Sequence, residues 1–204
     1  MLYRLLIFGC LLSGTTSIAQ GVGIQPLKTT EKAADSKIDY QAPGAPMPSF
    51  LLIEPVDSTM KKETRHTYKK KIKSGAAAKD IYSELITDKD LDNSANLFIM
   101  MFNPTCSHCE EETEMLEKNM NLFKKSNLVL MANLIMRPHL PVFIKAHHTY
   151  DFPSMYVGLD SLGFMDKVFS YQALPQINIY DKHRKLLKMY SGETTIDTLK
   201  QYIE

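Results

Sequence analysis

Two cysteines separated by two residues form the segment of this sequence best suited to chemistry. Cys106 and Cys109 enclose Ser107 and His108. In the first turn of a helix, cysteines at this spacing lie side by side, within the separation that a disulfide can bridge. The pair can therefore open and close with little backbone movement, which predicts exchange between thiols and disulfides.

The position of each group in this motif predicts a separate role for it. Cys106 would lie at a helix N-terminus, where free backbone N–H groups and the helix dipole favour a thiolate, so we expect it to be the nucleophile. Cys109, one turn further along, would be more buried and would resolve the mixed disulfide. Protonated His108 would favour the thiolate further and raise the reduction potential, unless it is only an exposed helix residue. The glutamates at 110–112 oppose this effect, and the sequence leaves the balance open.

The third cysteine, Cys10, lies in a segment that is typical of a secretory signal. Arg4 precedes an apolar run over residues 5–12, and small residues precede a predicted cleavage after Ala19. The run is shorter than the roughly 20 apolar residues of a membrane span. We therefore predict a signal peptide over residues 1–19. The alternatives are a buried N-terminal element and a lipoprotein anchored through Cys10.

Signal cleavage would leave every thiol of the mature chain in one motif. A disulfide that closes so short a loop restrains the unfolded chain very little, so a structural role explains the pair poorly. Redox chemistry and metal binding are the remaining interpretations. A metal site would use Cys106 and Cys109 with ligands drawn from four histidines, His108, His139, His147 and His148. Nothing in the sequence brings the last three histidines near the motif, so we predict no metal ligands.

The elements on either side of the motif must hold it in place. The unbroken apolar run from Leu97 to Phe102 predicts a strand buried on both faces, and residues 107–123 predict a helix. Residues 128–132 predict a second buried strand. A strand-helix-strand unit of this kind has parallel strands and a right-handed crossover. The motif is then placed at the first strand-to-helix turn.

Further elements are expected on both sides of this unit. Toward the N-terminus we predict a linker or irregular lead-in over residues 20–49 and a short edge strand over residues 50–53. A solvated basic segment over residues 57–73 and a short amphipathic helix over residues 80–91 are predicted to follow. The basic segment could instead bind an acidic partner or lipid headgroups. Toward the C-terminus we predict an extended piece over residues 154–157 and a helix over residues 162–169. A hairpin over residues 176–190 and a final helix over residues 196–203 complete the chain.

Composition restricts the possible size and partners of the protein. The 204 residues, 44% of them apolar, are enough to bury one ordinary core, so one domain with extensions is expected. The 24 Lys and Arg residues nearly balance the 23 Asp and Glu residues. Such a chain has no overall field that attracts nucleic acid or a membrane surface.

The order of these elements resembles the thioredoxin superfamily, in its TlpA-type, redoxin-like branch from the bacterial cell envelope. The resemblance depends on residues 98–109, on residues 173–177 with their Leu-Pro pair, and on Gly192 before the last helix. It covers about residues 91–204 of a thioredoxin-like domain placed at 50–204. The implied fold is α/β, with a central mixed sheet flanked by helices and preceded by an N-terminal extension.

The resemblance also implies an activity, that of a periplasmic thiol-disulfide oxidoreductase. Its catalytic groups would be Cys106, Cys109 and His108, with no cofactor beyond the redox-active disulfide. Its partners would be protein thiols or disulfides and a membrane-bound electron donor or acceptor, and not nucleic acid. Whether it reduces, oxidises or isomerises disulfides stays open.

A substrate platform follows from the same resemblance. Pro175 would follow a cis peptide bond, although X-Pro bonds in general are cis in only about 5–6% of cases. Leu174 would then offer backbone groups to a substrate peptide in strand fashion. Thr105 and Ser107, which flank Cys106, are the further substrate-binding candidates.

Two positions depart from the pattern of thioredoxin. Thr105 stands where thioredoxins often have Trp, and Met100 stands where thioredoxin has a buried Asp that helps to move protons. The second departure argues against fast reduction of the thioredoxin kind, while the basic thiol chemistry is retained. A redox-inactive binding module with the same fold is a further alternative, which the presence of both cysteines disfavours.

Overall fold

The computed structural model describes residues 38–55 and 83–203. The predicted signal peptide over residues 1–19 and the basic segment over 57–73 lie outside the described residues. The lead-in is described only from residue 38. From there to residue 49 it forms no helix and no strand apart from an isolated bridge between Pro46 and Lys185.

Within the described residues, seven strands form one mixed sheet. They are β1 Leu51–Pro55, β2 Ser83–Thr87, β3 Leu97–Phe102, β4 Asn127–Asn133, β5 Met155–Asp160, β6 Gln176–Tyr180 and β7 Leu186–Ser191. Their order across the sheet is β2-β1-β5-β4-β3-β6-β7. The neighbours β3 and β4 are parallel, as are β4 and β5, and the other pairs are antiparallel. The predicted mixed sheet is thus confirmed.

Four helices cover the two faces of this sheet in the part of the chain that the structure describes. They are α1 Ser107–Lys118, α2 Leu140–Ala146, α3 Phe164–Val168 and α4 Ile196–Lys200. Buried side chains of α1, α2 and α4 belong to one hydrophobic cluster, and those of α3 belong to a second cluster on the opposite face. All helices in these ranges are too short or too polar to cross a bilayer.

The central strand β3 is buried along its whole length. Phe98, Met100 and Phe102 join the cluster beneath α1, and the alternate residues join the other cluster. Successive side chains of a strand point to opposite faces, so a strand covered on both sides must be apolar at every position. This explains why the unbroken apolar run predicted the strand correctly.

The predicted strand-helix-strand unit and the C-terminal hairpin are also confirmed. Strands β3 and β4 are parallel on either side of α1, and β6 and β7 are antiparallel. Helix α1 is shorter than predicted, because it ends at Lys118 rather than near Phe123. Asn119 caps it, and the Nδ2 group of this side chain donates to the Met115 carbonyl at 2.7 Å.

The helix predicted over residues 80–91 is wrong, because Ser83–Thr87 form strand β2 instead. Ile86 is buried and Leu85 is 48% exposed, an alternation that suits a half-buried strand. Pairing with β1 provides that environment, and no local pattern of residues indicates this partner. Since β2 occupies the edge of the sheet, the prediction that β1 is an edge strand is also wrong.

Gly158 on β5 provides a test of how closely the sheet packs at this point. A Cβ atom at this position would lie 2.6 Å from Leu52 Cγ and 2.8 Å from the carbonyl oxygen of Ile53 on β1. A backbone oxygen cannot rotate away, so Gly158→Ala is expected to lower the free energy of unfolding by about 1–3 kcal/mol. Chemical denaturation measures this change. Leu187→Ala, at a half-exposed position of β7, should change it far less, and equal effects would contradict the argument.

Candidate active site

A short turn after β3 positions the two-cysteine motif. The side-chain oxygen of Asn103 accepts hydrogen bonds from the backbone N–H and the hydroxyl of Thr105, both at 3.0 Å. The N–H of Cys106 donates to the Asn103 carbonyl at 3.1 Å. An asparagine that bonds to its own downstream backbone fixes a turn in this way. Cys106 is therefore held as the N-cap residue of α1.

The two sulfurs differ in their access to solvent. Both are free thiols, with Cys106 half-buried and Cys109 fully buried. Burial raises the pKa of the Cys109 thiol to about 12, and the neighbouring Cys106 side chain also raises it. An accessible sulfur at a helix N-terminus beside a buried sulfur is the arrangement that a nucleophile and a resolving thiol require.

A buried carboxyl group lies one turn after Cys109. Glu112 is only 2% exposed, and its Oε2 atom accepts a hydrogen bond from the Thr194 N–H at 3.0 Å. Its Oε1 atom has no hydrogen-bond partner among the described residues. Burial raises the pKa of Glu112 to about 7, and its negative charge contributes to the raised pKa of Cys109. The site thus contains a proton acceptor that titrates near neutral pH.

Sequence reasoning treated Glu112 as one of three neighbouring carboxylates and missed its burial beside the motif. Glu110 and Glu111 are exposed, whereas Glu112 faces the core. Its spacing of three residues from Cys109 was the available clue, since residues i and i+3 share one face of a helix. A carboxylate on the face of a buried cysteine is expected to be buried with it.

His108 lies on the exposed side of α1. Its side chain is 65% exposed, and its Nδ1 atom is in hydrogen-bond contact with Glu193 Oε1. This hydrogen bond raises the pKa of His108. The imidazole is therefore exposed, as one interpretation predicted, but it also has a charged partner that the sequence did not reveal.

The predicted substrate platform lies at the same edge of the sheet as the motif. The register pairs Met101 of β3 with Gln176 of β6, which puts Pro175 beside the end of β3. The peptide bond between Leu174 and Pro175 is cis, as the resemblance implies. Leu174 is half-buried and packs on the same hydrophobic cluster as Cys106. The other two candidates, Thr105 and Ser107, are exposed on either side of Cys106.

The loop between β7 and α4, residues 192–195, connects the platform to the helix. Just before it, the Ser191 hydroxyl accepts from the Ala173 N–H at 3.0 Å and lies 3.1 Å from the Ala173 carbonyl, to which it donates. The N–H of Gly192, whose φ is +84°, donates to the Pro175 carbonyl at 2.9 Å. A positive φ of this size favours glycine. The same loop supplies the hydrogen bond to Glu112, so it contacts both halves of the site.

One histidine of the metal interpretation, His147, packs against other side chains. His147 is buried against Phe143, with ring centroids 4.3 Å apart, and its Nδ1 atom lies 3.3 Å from Glu117 Oε1. Among the described residues, neither cysteine belongs to a group of three ligand side chains close enough to share a metal ion.

Comparison with known proteins identifies the fold. No family model matches this chain, and no curated protein matches it. The chain is similar to the solved structure of a thiol:disulfide interchange protein from Bacteroides sp., with a TM-score of 0.53 and 15% identity over 80% of this chain and 91% of that one. It is also similar to the thioredoxin domain of a thiol-disulfide oxidoreductase from Bacteroides vulgatus, with a TM-score of 0.52 and 16% identity over 80% and 99% of the two chains. Likeness at such low identity shows a shared fold.

Proposed function

Because this chain has the thioredoxin fold, with its two-cysteine motif at the first strand-to-helix turn of the central unit, we propose that it is a thiol-disulfide oxidoreductase acting on protein substrates. One observation carries the proposal. An accessible sulfur, Cys106, caps a helix N-terminus directly beside a buried sulfur, Cys109. The names of the two similar structures support the same class of activity.

The reaction proceeds by two successive exchanges. The Cys106 thiolate attacks a substrate disulfide, forms a mixed disulfide and releases one substrate thiolate. The Cys109 thiolate then attacks the Cys106 sulfur, which forms the Cys106–Cys109 disulfide and releases the second substrate thiol. The substrate gains two electrons and the motif loses two. The same steps run in reverse when the partner is the stronger reductant, so the potentials of the partners set the direction.

Glu112 provides a base that can deprotonate Cys109 for the second exchange. Cys109 must lose its proton before it can attack, and burial opposes that loss. A buried carboxyl with a pKa of about 7 is partly ionised at neutral pH, and one of its oxygens has no other partner among the described residues. Glu112 accepts the Cys109 proton as a general base when the motif is oxidised, and returns it when the motif is reduced.

The substrate binds across the exposed edge of the site. Leu174 offers its backbone groups to an extended substrate segment beside Cys106, and Thr105 and Ser107 form the near rim. The predicted signal peptide supports action in the periplasm, where a membrane-bound donor or acceptor would return the motif to its starting state. Protein thiols and disulfides are the substrates in this proposal.

Equilibration with glutathione tests the proposed function directly. The protein is incubated in glutathione buffers of increasing ratio of reduced to oxidised form, and the free thiols are then alkylated and counted by mass spectrometry. We expect one reversible two-electron transition assigned to Cys106 and Cys109. The Cys106→Ser, Cys109→Ser double variant is the control and should show no transition. A parent protein that shows none either, or that catalyses no disulfide exchange in a standard insulin assay, would rule the proposal out.

A further inference from the structure

The contact between His108 and Glu193 joins two elements that are distant in sequence. His108 belongs to α1 inside the motif, and Glu193 belongs to the loop between β7 and α4, 85 residues further on. The two side chains are 65% and 47% exposed. The motif and its neighbouring loop thus share one ion pair at the surface of the site.

The loop holds Glu193 in position from both sides. The residue before it, Gly192, donates its N–H to the Pro175 carbonyl, and the residue after it, Thr194, donates its N–H to Glu112. Most exposed ion pairs contribute little, in part because two long side chains must be held in one geometry. Here hydrogen bonds already fix the backbone of Glu193. The entropy lost on holding the pair in one geometry therefore comes mainly from one side chain.

Two carboxylates act on the His108 imidazole. Glu193 is in direct contact with it, and Glu111 acts from the same helix by charge alone, with a smaller effect. The hydrogen bond to Glu193 makes the largest contribution to the raised pKa of His108. His108 therefore stays protonated at a pH where a solvent-exposed histidine would have lost its charge.

We propose that Glu193 is a positioning residue that keeps His108 charged and thereby raises the reduction potential of the Cys106–Cys109 pair. A positive imidazolium within the motif stabilises the Cys106 thiolate, which exists only in the reduced form. The disulfide carries no charge for it to stabilise. The inference rests on the proposed function, because it concerns the potential of the same two cysteines.

The test compares Glu193→Gln with the parent at pH 7.5 in the glutathione equilibrium described above. We expect the variant to favour the disulfide, with a change of about twofold to fivefold in the equilibrium constant. The difference should shrink at pH 5.5, where the imidazole is protonated with or without Glu193. Glu111→Gln removes the same charge without the hydrogen bond, so its effect should be clearly smaller.

The sign of the effect in a second background separates this proposal from a general loss of negative charge. In a His108→Gln background, the further change Glu193→Gln should leave the equilibrium unchanged or shift it toward the dithiol, because removing a nearby carboxylate favours a thiolate. A shift toward the disulfide of the same size in both backgrounds would overturn the proposal. No change from Glu193→Gln in the parent background would overturn it as well.

An NMR titration of the His108 ring gives an answer that is independent of the redox activity. In Glu193→Gln the midpoint of this titration should move down, toward the ordinary histidine range. An unchanged midpoint contradicts the proposal even if the protein exchanges disulfides. A lowered midpoint in a protein that never equilibrates with glutathione shows instead that the proposed function has failed while the ion pair is real.

Discussion

Replacing Cys109 with serine is expected to turn transient mixed disulfides into stable ones. In the parent, the resolving sulfur lies in the first turn of the helix that Cys106 caps, so the second exchange is intramolecular. Intramolecular attack of this kind corresponds to effective concentrations of roughly 10⁵ M or more, which no solution thiol reaches. We expect the lifetime of a mixed disulfide on Cys106 to lengthen at least about a thousandfold in Cys109→Ser. Non-reducing electrophoresis with a disulfide-bonded substrate protein measures the lifetime.

The single variant Cys106→Ser is the matched control for this experiment. It keeps one thiol in the motif, but that thiol is fully buried and has a raised pKa. A protonated, inaccessible sulfur is a poor nucleophile, so this variant should form almost no mixed disulfide. Equal amounts of adduct from the two variants would show that the assigned roles of the two sulfurs are wrong.

Local sequence patterns were sufficient to place the motif and the elements next to it. The apolar run of β3 and the Asn-Pro-Thr turn after it fix where the helix begins, and these signals lie within about ten residues of Cys106. The hairpin of β6 and β7 is similarly local, because its strands are neighbours in sequence. Features set by neighbours along the chain can be predicted from one sequence.

The contacts that tune the site are not local. Glu112 bonds to Thr194 across 82 residues, and His108 meets Glu193 across 85. Both partners come from a loop whose position depends on the packing of β7 against β6. The same reason explains the error at β2, whose pairing with β1 overrode the helical spacing of its apolar residues. Identifying these residues required the tertiary structure.

Glu112→Gln is the second substitution with a large expected effect. The amide retains the shape of the side chain and can still accept from the Thr194 N–H, but it cannot take up the Cys109 proton. We expect resolution of the mixed disulfide near pH 7 to slow by about 100-fold, the usual scale of general base catalysis. Stopped-flow measurement of release of the second substrate thiol reports this step. Glu111→Gln on the exposed side of α1 should retain the parent rate, and equal slowing in both variants would contradict the role of Glu112.

The same variant should change how stability depends on pH. The pKa of Glu112 is about 7 in the folded protein, against an ordinary value of 4.5, so the folded state retains a proton that the unfolded chain releases between these values. Stability from this group is therefore fully present below about pH 4.5 and is lost as the pH rises through 7. The parent should lose on the order of 2 kcal/mol more than Glu112→Gln between pH 5 and pH 8, as measured by urea denaturation. Parallel pH profiles for the two proteins would mean that the buried carboxyl is ionised throughout, and could not receive the proton of Cys109.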